Sequence, residues 1–175
     1  MTATGLSLNV LGDIEFSLDG TRLDLGHALI YKGMMLGNVP NLAFVFGYTN
    51  ASWTLKADLT SEYICRLINT MTARAWASAT PVPTADVGEE PFLDFSSGYV
   101  QRAVDKLPKQ GSVRPWKLHQ NYARDLVTLR FGRIDDGTLR FAALAPKLRL
   151  SKHSANNDFV FSFMRDLTEN FISIF

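Results

Sequence analysis

One stretch, residues 39–59, constrains the fold of this chain more than any other. It reads Val-Pro-Asn-Leu-Ala-Phe-Val-Phe-Gly-Tyr-Thr-Asn-Ala-Ser-Trp-Thr-Leu-Lys-Ala-Asp-Leu. The apolar run at residues 42–46 has the length of a strand covered on both faces, as in an α/β sheet. Gly47 ends that run, and a helical period begins near Trp53. The stretch therefore predicts a helix N-terminus, with its free N–H groups, at the end of a buried strand. Such a place suits an anionic or hydrogen-bond-accepting group.

The helical period extends from Trp53 to about Met71. Its apolar side chains recur at every fourth position, which predicts a wide buried stripe along one face of a long helix. The repeating residues are Leu55, Leu59, Tyr63, Leu67 and Met71.

Flanking segments supply further local predictions. Residues 13–25 alternate, with Ile14, Phe16 and Leu18 on one face, and Leu23 and Leu25 can join them across the turn. Asp19-Gly20 favours a type I′ turn between two strands. Residues 31–36 are interpreted as a connecting stretch. Further along we expect a linker at residues 80–84, a helix at 95–107, and a strand pair at 126–131 and 138–142 joined through 135–137. Residues 158–175 show no single period.

Composition sets outer limits on the class of protein. The chain has 175 residues, 46% hydrophobic and 20% charged, which is an ordinary globular balance. A net charge of +1 gives no reason to expect a nucleic-acid partner. A single cysteine, Cys65, excludes an internal disulfide and fits a reducing compartment. We find no transmembrane run and no signal peptide, so we expect a cytoplasmic location. The three histidines lack ligand spacing, which argues against a metal site.

Several long runs resemble the flavin-containing monooxygenases, in particular their Baeyer–Villiger-type branch. Residues 2–6, Thr-Ala-Thr-Gly-Leu, are similar to the segment that returns that family's chain from the NADP domain to the FAD domain. The turn and helix at residues 47–59 are similar to the family's flavin-facing turn. The likeness covers residues 1–146 and includes residues 31–36, 39–47, 94–102, 107–111 and 116–122.

The resemblance implies a fold class and a domain division. It implies an α/β chain that is the C-terminal part of a flavoprotein with two dinucleotide-binding domains. Residues 1–80 would be the C-terminal part of the FAD-binding domain, contributing a hairpin, the last sheet strand and a long helix. Residues 81–175 would form a mixed α+β C-terminal extension. Because the chain opens on what reads as the end of a strand, we expect polypeptide to be missing before Met1.

The chain also departs from the family. Neither of the two Gly-x-Gly-x-x-Gly loops that bind FAD and NADP is present. Those glycines let the backbone approach a pyrophosphate, and no other segment here replaces them. We therefore expect the isolated chain to oxidise no NADPH.

The resemblance assigns FAD contacts to the turn and to the first residues of the helix. The helix N-terminus would stabilise negative charge on the flavin, and Trp53 would form a flat wall beside the ring or substrate. From pattern alone the competing interpretation, in which the polar residues only cap the helix and Trp53 fills core, is favoured. The candidate FAD-binding residues are Gly47, Thr49, Asn50, Ser52, Trp53 and Thr54, with Trp53 also the candidate for the substrate pocket.

Three other features are interpreted without a functional role. Lys56 is expected to be a solvated helix residue, and Cys65 inert core on the apolar side of the helix. Arg114, Lys117 and Arg124 are interpreted as a solvated basic surface.

The function implied by the resemblance is FAD- and NADPH-dependent insertion of one oxygen atom of O2 into a ketone, or its addition to a nitrogen or sulfur atom, of a small molecule. The alternative is a non-catalytic interaction module. In that case the chain would associate with a complementary or full-length chain that carries the missing nucleotide-binding half, because exposed sheet edges and apolar faces favour association.

Overall fold

The computed structural model describes Leu11, residues 14–92, residues 106–143 and the backbone of residues 172–174. Within them the chain is mixed α/β, with one long helix and several small sheets. The strands are β1 (Ser17–Leu18), β2 (Thr21–Arg22), β3 (Ile30–Tyr31), β4 (Met35–Leu36), β5 (Leu42–Phe44), β6 (Trp76–Pro81), β7 (Glu89–Pro91), β8 (Lys109–Gly111), β9 (Leu139–Ala143) and β10 (Ile172–Ile174). The helices are a 3₁₀ turn (Leu25–His27), α1 (Trp53–Ala73), a short α2 (Tyr122–Asp125) and a π-helical turn (Leu126–Phe131) that continues it.

The predicted first hairpin is confirmed. Leu18 pairs with Thr21, and the two turn residues have positive φ, 50° at Asp19 and 79° at Gly20. That is the type I′ geometry, whose twist matches antiparallel strands. Phe16 is buried as predicted, whereas Ile14 is 46% exposed, so the predicted inward alternation is wrong at that position.

The expected connecting stretch at residues 31–36 is instead a second tight hairpin. β3 and β4 are joined by Lys32, Gly33 and Met34, of which the first two have positive φ values, 51° and 76°. Both strands are buried along their whole length. Strands covered on both faces carry no polar alternation, so the pattern that reveals a half-exposed strand was absent.

β5 confirms the predicted buried strand and lies at the centre of the largest sheet. The strand order is β10-β5-β4-β3, with β5 antiparallel to β4 and parallel to β10. All three β5 residues are buried. The partner β10 comes from the tail for which no period was found. A parallel neighbour needs a crossover connection, so its position is not encoded locally.

Helix α1 confirms the predicted helix and its stripe. Leu59, Tyr63, Leu67 and Met71 are at most 2% exposed, whereas Leu55 at the start of the stripe is only partly buried. Cys65, however, is exposed, so its assignment to the core was wrong. It lies two positions from Tyr63 and from Leu67, about 200° around the helix, and therefore on the opposite face.

The predicted pairing of a strand at residues 126–131 with one at 138–142 is wrong, although the second strand is confirmed as β9 (Leu139–Ala143). Residues 126–131 are helical, because the Asn121 side chain caps α2 by accepting from the Arg124 N–H and the helix runs on. The Arg66 guanidinium then donates to the Leu129 and Gly132 carbonyls, at 2.6 and 2.7 Å.

The true partner of β9 is β6. β6 includes Thr80 and Pro81, so the linker expected at residues 80–84 is part strand. Pro81 ends β6, where a residue without an N–H is tolerated. The helix expected at residues 95–107 lies almost entirely outside the described residues. No helix among the described residues is both long and apolar enough to cross a bilayer.

The main core contains residues from both sides of the predicted domain boundary at residue 80. α1 and the second hairpin pack with side chains that follow residue 106, including Trp116, Leu129 and Leu139. The division at residue 80 stays a prediction.

The Asn41 side chain links the loop before β5 to β6. It donates to the Ala77 carbonyl and accepts from the Ala79 N–H, at 3.1 and 3.0 Å.

Candidate functional site

The N-terminal end of α1 faces solvent. Residues 49–54 are exposed, and Ser52 occupies the N-cap position without bonding a backbone N–H. Its Oγ lies 2.8 Å from Thr54 Oγ1 instead. The first turn contains no acidic side chain. The first-turn N–H groups are thus uncapped by Ser52, and the positive end of the helix dipole is not neutralised there.

Trp53 covers Gly47. A Cβ built on Gly47 would lie 2.1 Å from Trp53 Cδ2, so only glycine permits this contact. The indole also packs against Phe46, with ring centroids 5.0 Å apart, and remains 51% exposed. The close approach at Gly47 is therefore made by the indole, which presents a flat apolar surface beside the helix end.

The polar residues before the helix are tied to a distant residue. The Thr49 N–H donates to Gln120 Oε1 at 3.1 Å, and Asn50 Nδ2 donates to the Gln120 carbonyl at 3.0 Å. Sequence reasoning missed Gln120, because nothing local connects positions 70 residues apart. The turn is therefore held in place by the segment that follows residue 106.

Lys56 was expected to be solvated, and that prediction is wrong. Its side chain is 7% exposed, and Nζ lies 2.7 Å from Asp125 Oδ2. Tyr48 donates to the same oxygen at 2.7 Å. Burial, followed by this hydrogen bond to the carboxylate, raises the pKa of Tyr48 and keeps the phenol protonated. We call Tyr48, Lys56 and Asp125 the first clamp.

A second clamp, with one more tyrosine than the first, lies at the second hairpin and is formed by Tyr31, Lys32, Tyr63 and Asp136. Lys32 Nζ lies 2.8 Å and the Tyr31 hydroxyl 2.7 Å from Asp136 Oδ2. Lys32 also donates to the Tyr63 hydroxyl at 3.2 Å. Burial alone would raise the pKa of Asp136, but Lys32, Tyr31 and the Thr138 N–H together hold it below its usual value.

The two clamps border one cavity of about 270 Å³. Six of its fifteen described lining residues are lysine or arginine, and among them are Arg114, Lys117 and Arg124, which the sequence had grouped. The structure adds Lys32, Lys56 and Arg133 to them. A separate crevice of about 10 Å³ beside Gly47 has room for a single water at most.

The helix end fits the flavin ring that the family resemblance implies. It is open, its amides are not occupied by the Ser52 side chain, no first-turn carboxylate repels negative charge, and Trp53 offers a flat neighbour. The narrow crevice means that a flat ligand would lie across the exposed helix end and not behind Gly47. Among the described residues no cluster of three or more histidine, cysteine or acidic side chains could hold a metal.

Comparison with known proteins gives a consistent class. The FAD-containing monooxygenase EthA of Mycobacterium tuberculosis is 52% identical over 143 residues, which is 81% of this chain and 29% of EthA. EthA of Mycolicibacterium smegmatis is 48% identical over 142 residues, with the same shares. The "Probable FAD-binding monooxygenase AlmA" of Acinetobacter baylyi is 41% identical over 143 residues, again 81% of this chain and 29% of the relative. No protein-family model and no solved structure matches the chain.

These relatives place the chain among flavoprotein monooxygenases. It belongs to the FAD-containing monooxygenases, of which it represents a C-terminal portion. The chain spans under a third of the length of the relatives that it matches.

Proposed function

We propose that this chain is the flavin-side wall of an FAD- and NADPH-dependent, Baeyer–Villiger-type monooxygenase. Such an enzyme would insert one oxygen atom of O2 into a ketone, or add it to a nitrogen or sulfur atom, of a small molecule. The observation that carries the proposal is the open end of α1, with uncapped amides and an exposed indole, in a chain 52% identical to an FAD-containing monooxygenase.

The residues of this chain would bind and position. The first-turn amides, with Ser52 and Thr54, would hold the electron-rich edge of the flavin and stabilise its negative charge when reduced, by about 0.3–1 kcal/mol. Trp53 would exclude water from one side of the ring or substrate. Thr49 and Asn50, held by Gln120, would fix the turn. When bound, FAD supplies the redox and oxygen chemistry.

The chain contains neither of the two Gly-x-Gly-x-x-Gly loops. FAD and NADPH would be held mainly by Gly-x-Gly-x-x-Gly loops on other polypeptide, so the 175-residue chain should be inactive alone. The test compares two purified proteins with added FAD and NADPH. One is this chain. The other is a chimaera in which its aligned 143 residues replace the matching part of M. tuberculosis EthA.

We expect no NADPH oxidation by the isolated chain, and flavin retention with NADPH oxidation by the chimaera. NADPH consumption by the isolated chain would refute the inactivity. A folded chimaera that retains no FAD would refute the assignment of the helix end. Mixing this chain with the remaining part of EthA in trans would test association with a complementary chain, which we expect to be seen by size-exclusion chromatography.

A further inference from the structure

The wall of the cavity between the two clamps is strongly cationic, although the whole chain is nearly neutral. The chain holds 18 lysines and arginines against 17 acidic residues. The described cavity wall, by contrast, holds six lysine or arginine side chains and only two carboxylates, Asp125 and Asp136. A third of the lysines and arginines of the chain thus line this one cavity.

Among the described lysines and arginines of the cavity wall, only the three lysines form ion pairs. Lys32 is paired with Asp136, Lys56 with Asp125, and Lys117 with Glu90. The three arginines differ. Arg114 Nε donates to His119 Nε2 at 3.0 Å, so its partner is a neutral imidazole. For the Arg124 and Arg133 side chains, the described residues contain no ion pair and no hydrogen bond. Within the described part of the chain, the three guanidinium groups on the wall therefore have no carboxylate partner.

The pKa of His119 reflects the same excess of positive charge on the cavity wall. Burial, followed by the positive charges of Arg124 and Arg114, lowers the pKa of His119 and keeps the imidazole neutral at pH 7. A neutral Nε2 can accept the hydrogen bond from Arg114, which orients one guanidinium on the rim. Lys32 and Lys56 in the wall are buried and are paired with the carboxylates of the two clamps.

We propose that this cavity binds a doubly charged phosphate group, either free phosphate or a phosphate carried by an organic molecule. Guanidinium groups bind phosphate through paired N–H donors. A volume of about 270 Å³ holds a phosphate with a small organic substituent. The site is independent of the proposed oxygenation, since phosphate binding requires no flavin.

The test uses the complete 175-residue chain, labelled with ¹⁵N and titrated with sodium phosphate at pH 7.5, against NaCl of equal ionic strength. We expect saturable binding with a Kd near or below about 1 mM. The largest amide shifts should fall on cavity residues such as Thr128 and Gly132. The double variant Arg124→Gln/Arg133→Gln should weaken binding at least about tenfold. The matched control Arg22→Gln/Arg140→Gln, which removes two exposed arginines outside the cavity, should bind like the unchanged chain.

Two further ligands identify the source and charge of the bound group. Phenyl phosphate binding more than about tenfold tighter than inorganic phosphate would indicate an organic ligand, and equal affinity would indicate free phosphate. Acetate binding as well as phosphate would overturn the assignment to a doubly charged group. No saturable shift beyond the NaCl titration, shifts that map elsewhere, or a Kd unchanged in the Arg124→Gln/Arg133→Gln variant would overturn the site. The shift map needs no variant, so it decides even if the double variant fails to fold.

Discussion

Lys56 Nζ lies 2.7 Å from Asp125 Oδ2, and this contact joins the first turn of α1 to a residue 69 positions later. Tyr48, which follows the central strand and Gly47, donates to the same oxygen. Through these contacts, Asp125 in the C-terminal part of the chain holds the candidate flavin-facing turn in place. The first clamp thus links the proposed site to the stability of the fold.

Breaking the Lys56–Asp125 ion pair should lower the free energy of unfolding. Lys56→Met leaves the Asp125 carboxylate in a site where its side chain is only 18% exposed, and we expect the free energy of unfolding to fall by roughly 3 kcal/mol. Urea unfolding measures the change. The control is Glu62→Gln, which removes a carboxylate from an exposed pair with Arg130 and should change stability far less. Equal effects of the two substitutions would contradict a structural role for the first clamp.

The second clamp predicts an acid-sensitive stability. Because the pKa of Asp136 is lower in the folded chain than in the unfolded one, its contribution is present above the unfolded value of about 3.9 and is lost as the pH falls through the folded value. The urea midpoint should therefore begin to drop as the pH falls below about 5 and continue to drop as the pH passes through the lowered pKa of Asp136. Asp136→Asn should lower stability at pH 7 and flatten that slope, whereas Asp58→Asn, at an exposed helix position, should keep it. An unchanged slope in Asp136→Asn would rule out this source of acid sensitivity.

Gly47 and Trp53 should be energetically coupled. Gly47→Ala places a methyl group inside the indole contact, and we expect a loss of about 1–3 kcal/mol. Trp53→Ala removes the obstacle, so the double variant should be more stable than the sum of the two single losses implies. A double-mutant cycle by urea unfolding gives the coupling. Additive losses would mean that the indole does not occupy the space above Gly47.

Ser52→Asp should have opposite effects on the helix and on the flavin. In the isolated chain an N-cap carboxylate can bond the free N–H groups and should raise the free energy of unfolding by about 0.3–1 kcal/mol. In the EthA chimaera the same charge should disfavour the reduced flavin and lower its potential by about 10–20 mV. Ser61→Asp, in mid-helix, should do neither. A stabilised helix with an unchanged flavin potential would separate the helix end from the flavin.

Cys65 should react readily in the folded state. Since it is exposed, a disulfide reagent should modify one thiol per chain without denaturant. Cys65→Ser gives the blank. Labelling that requires urea would show that the thiol is covered.

Local features were predictable from the sequence. The type I′ turn depends on Asp19-Gly20 alone. Apolar residues that recur at every fourth position predict α1. The apolar run at residues 42–46 revealed the central strand. Each of these signals lies within about twenty consecutive residues.

Long-range features were not predictable. Nothing near Lys56 indicates that Asp125 will neutralise it, so exposure was the reasonable expectation for a lysine. β9 has an ordinary strand pattern, but its pairing with β6 joins residues about 60 positions apart. The cavity combines Lys32 and Lys56 with arginines from a later segment, and therefore only the fold reveals its charge.

The central claim is that the N-terminal end of α1 lies against the flavin ring. A crystal structure of the FAD-bound EthA chimaera measures this directly, as the distance from the backbone nitrogens of Trp53, Thr54 and Leu55 to the isoalloxazine ring. We predict at least one of them within about 4 Å, in hydrogen-bond or van der Waals contact. A bound flavin whose ring contacts none of the first-turn residues of α1 would contradict the account.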